Sequence, residues 1–201
     1  MPSRGLTVSR RSIVGVVLTI ALLVSSADAA VFSPDAVKAA FLFRFASFVQ
    51  WPADVPATGP FIIAVADGDP VADQLERLLP GMNVRGQPAE VRRVTKPEEL
   101  DGVRILYVGP GAAVRTRALR ARAATLPILL VTDRDDGFAG GGVVNFLEAP
   151  RNVRFEVSLA AADRARLTID SALLAVAARV ERRAQTPRRC DPCNLYAEMS
   201  R

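Results

Sequence analysis

The chain of 201 residues contains no histidine. That absence removes the commonest general base, the commonest zinc ligand and any Ser–His or Cys–His nucleophile pair. Lysine is almost as scarce. Lys38 and Lys96 are the only two, one on a helix flank and one in a turn before Pro97, and neither context suggests catalysis. An enzyme is therefore the weakest of the function classes open to this sequence, and neither a cofactor nor a metal is expected. Cysteine is limited to the pair in Cys190-Asp191-Pro192-Cys193. A thioredoxin-like motif belongs at a helix start after a strand, whereas this pair lies in a Pro/Arg-rich tail. No second pair completes a zinc site, and Asn194 stands where haem attachment needs histidine. In an oxidising compartment a local Cys190–Cys193 disulfide is the simplest reading. Its short loop removes little chain entropy, so it would shape the tail more than stabilise the fold.

What is present begins with an export signal. Arg4, Arg10 and Arg11 precede the uncharged run 13–24, and Ala27-Asp28-Ala29 offers small residues where a signal peptidase reads. The run is too short to cross roughly 30 Å of hydrocarbon, so residues 1–29 read as a cleaved signal peptide and not as an anchor. Ser9-Arg10-Arg11 is either a twin-arginine signal or an ordinary basic n-region. No cysteine follows the cleavage site to carry a lipid. Cleavage removes three arginines and one aspartate, leaving 23 basic against 20 acidic residues and a net charge of +3. So modest a balance does not call for nucleic acid as a partner. Arg115, Arg117, Arg120 and Arg122 form the densest basic run, which on a helix reads mostly as a solvated face.

With half of its residues apolar, the remainder suits one globular domain over residues 30–185, followed by a tail, 186–201, that holds the cysteines. Ser33-Pro34-Asp35 is a helix-start signal, and residues 35–50 follow as a helix ended by Trp51-Pro52. Val37, Phe41, Phe45 and Phe48 fall on one stripe, flanked by Leu42 and Val49, which is core packing. Phe43 points nearly the other way, to meet either a second layer of the fold or another chain. Residues 61–66, 90–94, 104–108 and 128–132 read as strands. Residues 71–79 and 112–125 read as helices, and residues 97–100 as one helical turn at most. The alternation predicts a single-domain, Rossmann-like α/β fold: a mostly parallel sheet with helices on both faces, a C-terminal antiparallel hairpin and a terminal helix. The hairpin strands are residues 143–147 and 153–159. The final helix, capped by Asp170 or Ser171, carries Leu173, Leu174, Val176, Ala177 and Val180.

Three constellations invite chemistry. Gly109-Pro110-Gly111 lies between a strand and a helix like a dinucleotide turn, but Val114 occupies the third glycine's place and no P-loop lysine follows. It reads as a tight turn. Gly140-Gly141-Gly142 leads into a strand, where its amides are poorly placed for phosphate. Asp133, Asp135 and Asp136 look like a calcium loop, but Gly137 occupies the fifth position, where another oxygen ligand is required. A solvated loop is expected there.

Two motifs carry a family resemblance. One is Val37-Lys38-Ala39-Ala40-Phe41-Leu42-Phe43, then Phe45-Ala46, Phe48-Val49 and Trp51-Pro52. The other runs from Asp133 through Gly137-Phe138-Ala139 and Gly141-Gly142-Val143-Val144-Asn145-Phe146 to Val153-Arg154-Phe155-Glu156-Val157, Leu167, Ile169-Asp170-Ser171 and Leu173-Leu174. Over about residues 35–183 the chain resembles the YfiR family of bacterial periplasmic proteins. It departs from that pattern at Arg44 and Ser158, where the family usually has Asn, and lacks the mid-domain cysteines that members often carry. The resemblance implies a periplasmic protein that binds the periplasmic sensor domain of an inner-membrane diguanylate cyclase and represses it, lowering cyclic di-GMP. It further implies an OmpA-like outer-membrane lipoprotein as antagonist, and a homodimer. Recognition of that kind needs an exposed apolar patch with a polar rim. The candidates are Phe43, Trp51 beside Pro52, Phe138, Leu167 and Ile169, each of which can instead be core. Gly137, Gly141 and Gly142 would permit the shape of the loop, and Asn145 would hold it by hydrogen bonds. The alternative function is a small-molecule receptor, its cleft lined at the strand ends by residues 109–111 and 133–138.

Overall fold

The structure, a computed structural model, describes residues 33–111, 113–147 and 152–182. The expected signal peptide, the expected Cys190–Cys193 disulfide and most of the link within the hairpin lie outside the described residues. Helix α1 (Pro34–Phe48) starts where Ser33 caps it, the hydroxyl accepting from the Ala36 amide at 3.2 Å, with Pro34 in its first turn. Then come β1 (Val49–Gln50), β2 (Phe61–Ala66), α2 (Asp69–Leu78), β3 (Asn83–Val84), β4 (Gln87–Arg93), a 3₁₀ turn (Pro97–Leu100) and β5 (Val103–Val108). They are followed by α3 (Ala113–Ala123), β6 (Leu129–Thr132), β7 (Val144–Leu147), β8 (Arg154–Ser158), α4 (Leu159–Arg164), β9 (Thr168–Ile169), α5 (Ser171–Val176) and β10 (Arg179–Glu181).

Eight strands form one sheet in the order β10-β8-β7-β6-β5-β2-β4-β3. From β4 to β7 the pairing is parallel; β7 and β8 make the antiparallel hairpin. Strands β1 and β9 form a separate antiparallel ribbon, Val49 opposite Ile169. Because side chains alternate across a strand, the all-buried β2 feeds both faces of the sheet. Phe61, Ile63 and Val65 join one apolar cluster with α1, α2, α4 and α5. Ile62, Ala64 and Ala66 join another with Leu119 and Ala123 of α3. Phe45, fully buried, stacks at 6.0 Å on Phe146 and meets Phe155 edge-on at 5.2 Å. A buried ring of that size contributes roughly 1.5–3 kcal/mol before any ring-pair term.

Three expectations change. The buried line of α1 runs through Ala39, Leu42, Phe45 and Ala46, so Phe41 and Phe48 flank it and do not centre it. The final helix stops at Val176, and Ala177 is extended (φ −67°, ψ 140°). Val180, expected on that helix, instead pairs with Val157 in β10, because β8 offered an open edge whose hydrogen bonds outweigh the local helical pattern. Finally, Ser158 ends its strand and caps a short helix, α4, which starts at Leu159, the residue expected to end the strand.

Candidate functional site

Two regions stand out, one polar and one apolar. Parallel α/β sheets bind ligands beyond the carboxyl ends of their strands, above all where the strand order reverses. Here the reversal lies between β2 and β5, and it is packed shut. A Cβ on Gly109 would come within 2.0 Å of the Asp67 carbonyl oxygen, and one on Gly111 within 2.4 Å of Asp67 Oδ2. Residues 109–111 thus form a tight turn closed over Asp67, which itself takes a left-handed φ of 51°.

The open space lies further along the sheet. Helix α3 covers the second face over the middle strands, and beyond β6 that face carries Asn145 and Glu156 in place of apolar residues. A cleft of about 570 Å³ follows, lined by Pro110, residues 133–136, Asn145 and Glu156 among others. Of the expected lining, Gly109, Gly111, Gly137 and Phe138 do not contribute to it. Asn145 is buried and its Oδ1 accepts from Thr132 Oγ1 at 2.8 Å and from the Arg134 amide at 3.2 Å, while Nδ2 donates to Glu156 Oε1 at 3.2 Å. Glu156 Oε2 pairs with Arg179 Nε at 3.0 Å, and the Arg179 guanidinium lies 5.9 Å over the Phe138 ring. Gly137 is pressed on this network, since a Cβ there would fall 2.2 Å from Asn145 Oδ1; Gly142 would likewise crowd the Gly137 carbonyl, at 2.7 Å. Gly141 holds φ +85°, a conformation side chains resist.

The aspartate loop is solvated at Asp135 and Asp136, as expected, but not at its first residue. Asp133 is 6% exposed; its Oδ2 pairs with Lys38 of α1 and accepts from the Tyr107 hydroxyl at 2.9 Å. Burial, and then the Asp133 charge, push the Tyr107 phenol well above its ordinary range. Arg134 donates to the Gly111 carbonyl and to Asp136 Oδ1 at 2.8 Å, which holds the Asp136 carboxyl below its usual range. Among the described residues no group of three or more His, Cys, Asp or Glu is placed to hold a metal. Lys38, Tyr107, Arg134, Glu156 and Arg179 escaped sequence reasoning as site residues. One signal was available: Lys38 is one of only two lysines and sits in a mostly apolar helix. Nor are the four arginines of α3 all solvated. Arg120 is 8% exposed, its Nε and Nη1 lack hydrogen bonds, and the Asp136 carboxylate stands 4.0 Å off.

The apolar region runs along α1 into the β1–β9 ribbon. Phe43, Trp51 and Ile169 are half-buried and pack on the core, with Pro52 beside Trp51. Trp51 meets Phe61 edge-on at 5.4 Å, and Arg85 lies 5.8 Å from the ring centre, anchored by a 2.6 Å bond from Nη2 to the Val49 carbonyl. Leu167 is a core residue, 4% exposed, and leaves the exposed candidates; its amide bonds back to Ala162, which turns the side chain under α4. Phe138 is half-buried against Arg179 and is not part of the apolar cluster that Phe43 and Trp51 join. Helix α1 is apolar around most of its circumference. With Lys38 drawn in to Asp133, Arg44 is its only charge free of the first turn, beside exposed Ala40 and Ser47.

Among the described residues no helix is long and apolar enough to cross a membrane. A family model described as YfiR/HmsC-like matches residues 35–178, most of the chain. No curated protein matches it.

Proposed function

The chain belongs to the YfiR/HmsC-like family, a periplasmic regulator of diguanylate cyclase by that membership, and from that premise we propose that it represses a membrane-bound cyclase by binding the cyclase's periplasmic sensor domain. The observation that carries this reading is the outward side of α1. That side exposes Arg44 and Ser47 beside Ala40, and half-buried Phe43 on its flank packs on the same cluster as Trp51 and Ile169, with Pro52 beside Trp51. An apolar strip with a polar border is thus available for a second contact. Arg44 and Arg85 supply a polar rim. A repressor of this kind must bind the inactive conformation of its target more tightly than the active one, since equal affinity shifts nothing. Burial of two aromatic anchors in only one of the two conformations is enough to supply that difference. The other partners the resemblance implies, an OmpA-like lipoprotein and a second copy of this chain, would compete for the same edge. Gly137, Gly141, Gly142 and Asn145 shape the loop above the cleft. No bond is made or broken in this function.

Deletion of the gene is expected to raise cyclic di-GMP, and a Phe43→Asp chain to fail to lower it again while folding normally. No change in cyclic di-GMP in a strain that keeps the cyclase would remove the reading. The cleft supports a second one, a small-molecule receptor, because about 570 Å³ is the size of a metabolite site. A thermal-shift screen tests it: a specific metabolite raises the melting temperature without any protein partner.

A further inference from the structure

Helix α3 reads AVRTRALRARA, four arginines and no acidic residue in 11 positions. Thr116, Leu119, Arg120 and Ala123 are buried and fix which side faces the sheet. At about 100° per residue, Val114, Ala118 and Ala121 then fall on the outward line, Arg115 and Arg122 along one flank and Arg117 along the other. Exposure agrees with that geometry: all six are exposed, and Val114, at 82%, is the most exposed large hydrophobic residue described. Arg115 leans on Asp67 at 3.3 Å. The side chains of Arg117 and Arg122 have no ion-pair or hydrogen-bond partner among the described residues.

We infer that this face of α3 docks on an anionic phospholipid surface. The charge has one sign and is spread along both flanks, which complements a sheet of phosphate headgroups. The crown is a convex ridge of small apolar side chains with arginine stems on either side, a profile that settles between headgroups while the guanidiniums reach outward. It offers no aromatic anchor and no hollow, the features on which a protein partner would depend. The role rests on the regulatory reading above only in one respect: a protein that restrains a membrane-bound cyclase gains from being held near the bilayer, where its effective concentration is high.

Vesicle flotation tests the surface without reference to the cyclase. Protein recovered from a periplasmic extract should float with phosphatidylglycerol-containing vesicles, not with phosphatidylcholine alone, and added salt should release it. Each arginine near such a surface is worth about fivefold in partitioning, so Arg117→Gln/Arg122→Gln should weaken binding on the order of thirtyfold. Arg77→Gln/Arg164→Gln, which removes two exposed arginines from other helices, should leave it unchanged. No binding to anionic vesicles, or an equal loss in both pairs, would overturn the proposal. So would loss of binding to the cyclase's periplasmic domain in the first pair with no vesicle binding at all, which would assign the face to an acidic protein. A failure here leaves the cyclic di-GMP result untouched, and a failure there leaves this one untouched.

Discussion

The two faces of the central sheet use the same strands but are held differently. One packs Phe45, Phe146, Phe155 and Tyr107 into a ring cluster under four helices. The other meets a single helix through aliphatic side chains, Ile62, Leu106 and Leu130 against Leu119 and Ala123. The difference explains where the unusual surface lies. On the ring side Phe41, Phe43 and Phe48 of α1 are only half-buried against the cluster. On the aliphatic side α3 stops short, and the strands beyond it turn polar and form the cleft.

The largest test of that contrast is Phe45→Ala, which removes a fully buried ring with three aromatic neighbours and should cost about 4 kcal/mol in denaturant melts. Leu106→Ala, equally buried on the opposite face, should cost about 3 kcal/mol; a cost above that of Phe45→Ala would reverse the comparison. Asn145→Ala leaves the Thr132 hydroxyl only the distant Val144 carbonyl as acceptor, removes the acceptor of the Arg134 amide and strands a Glu156 oxygen, and should cost about 2 kcal/mol while leaving the packing of α1 intact. The phenol of Tyr107 gives a pH signature. Its folded pKa is raised, so the unfolded chain loses the proton first. Stability is intact below the unfolded pKa of about 10 and falls as pH climbs past it, at up to about 1.4 kcal/mol per pH unit. Denaturation midpoints measured from pH 8 to 11 should show the fall in the natural chain and lose it in Tyr107→Phe. Smallest is Gly141→Ala, where a side chain at φ +85° should cost about 1 kcal/mol, a change that thermal melts resolve.

How much of this was legible follows the length of each pattern. Phe61–Ala66 matched residue for residue, because a continuous apolar run bounded by Pro60 and Asp67 has few other solutions. Strands β1, β3, β9 and β10 are two or three residues long and exist only because a neighbour offers hydrogen bonds, so no local period announces them. The same holds within the site. Asn145 and the glycines drew notice as a motif, whereas Lys38 and Asp133 lie 95 positions apart and meet only once α1 has crossed the sheet. Leu167 and Phe138 look alike in sequence, both apolar near polar neighbours. Only the turn after α4 decides that the first is sealed in and the second lies against Arg179.

The strand order has one more consequence, for the newly made chain. The run FIIAVA is the first piece of the main sheet to be synthesised, yet it ends between β4 and β5, both encoded later. Until Gln87 and then Val103 arrive, six uncharged, strand-prone residues wait with both edges open, the kind of segment that sticks to its own copies. An escort that keeps this segment apart from its copies until the fifth strand can pair with it would raise the yield of folded protein.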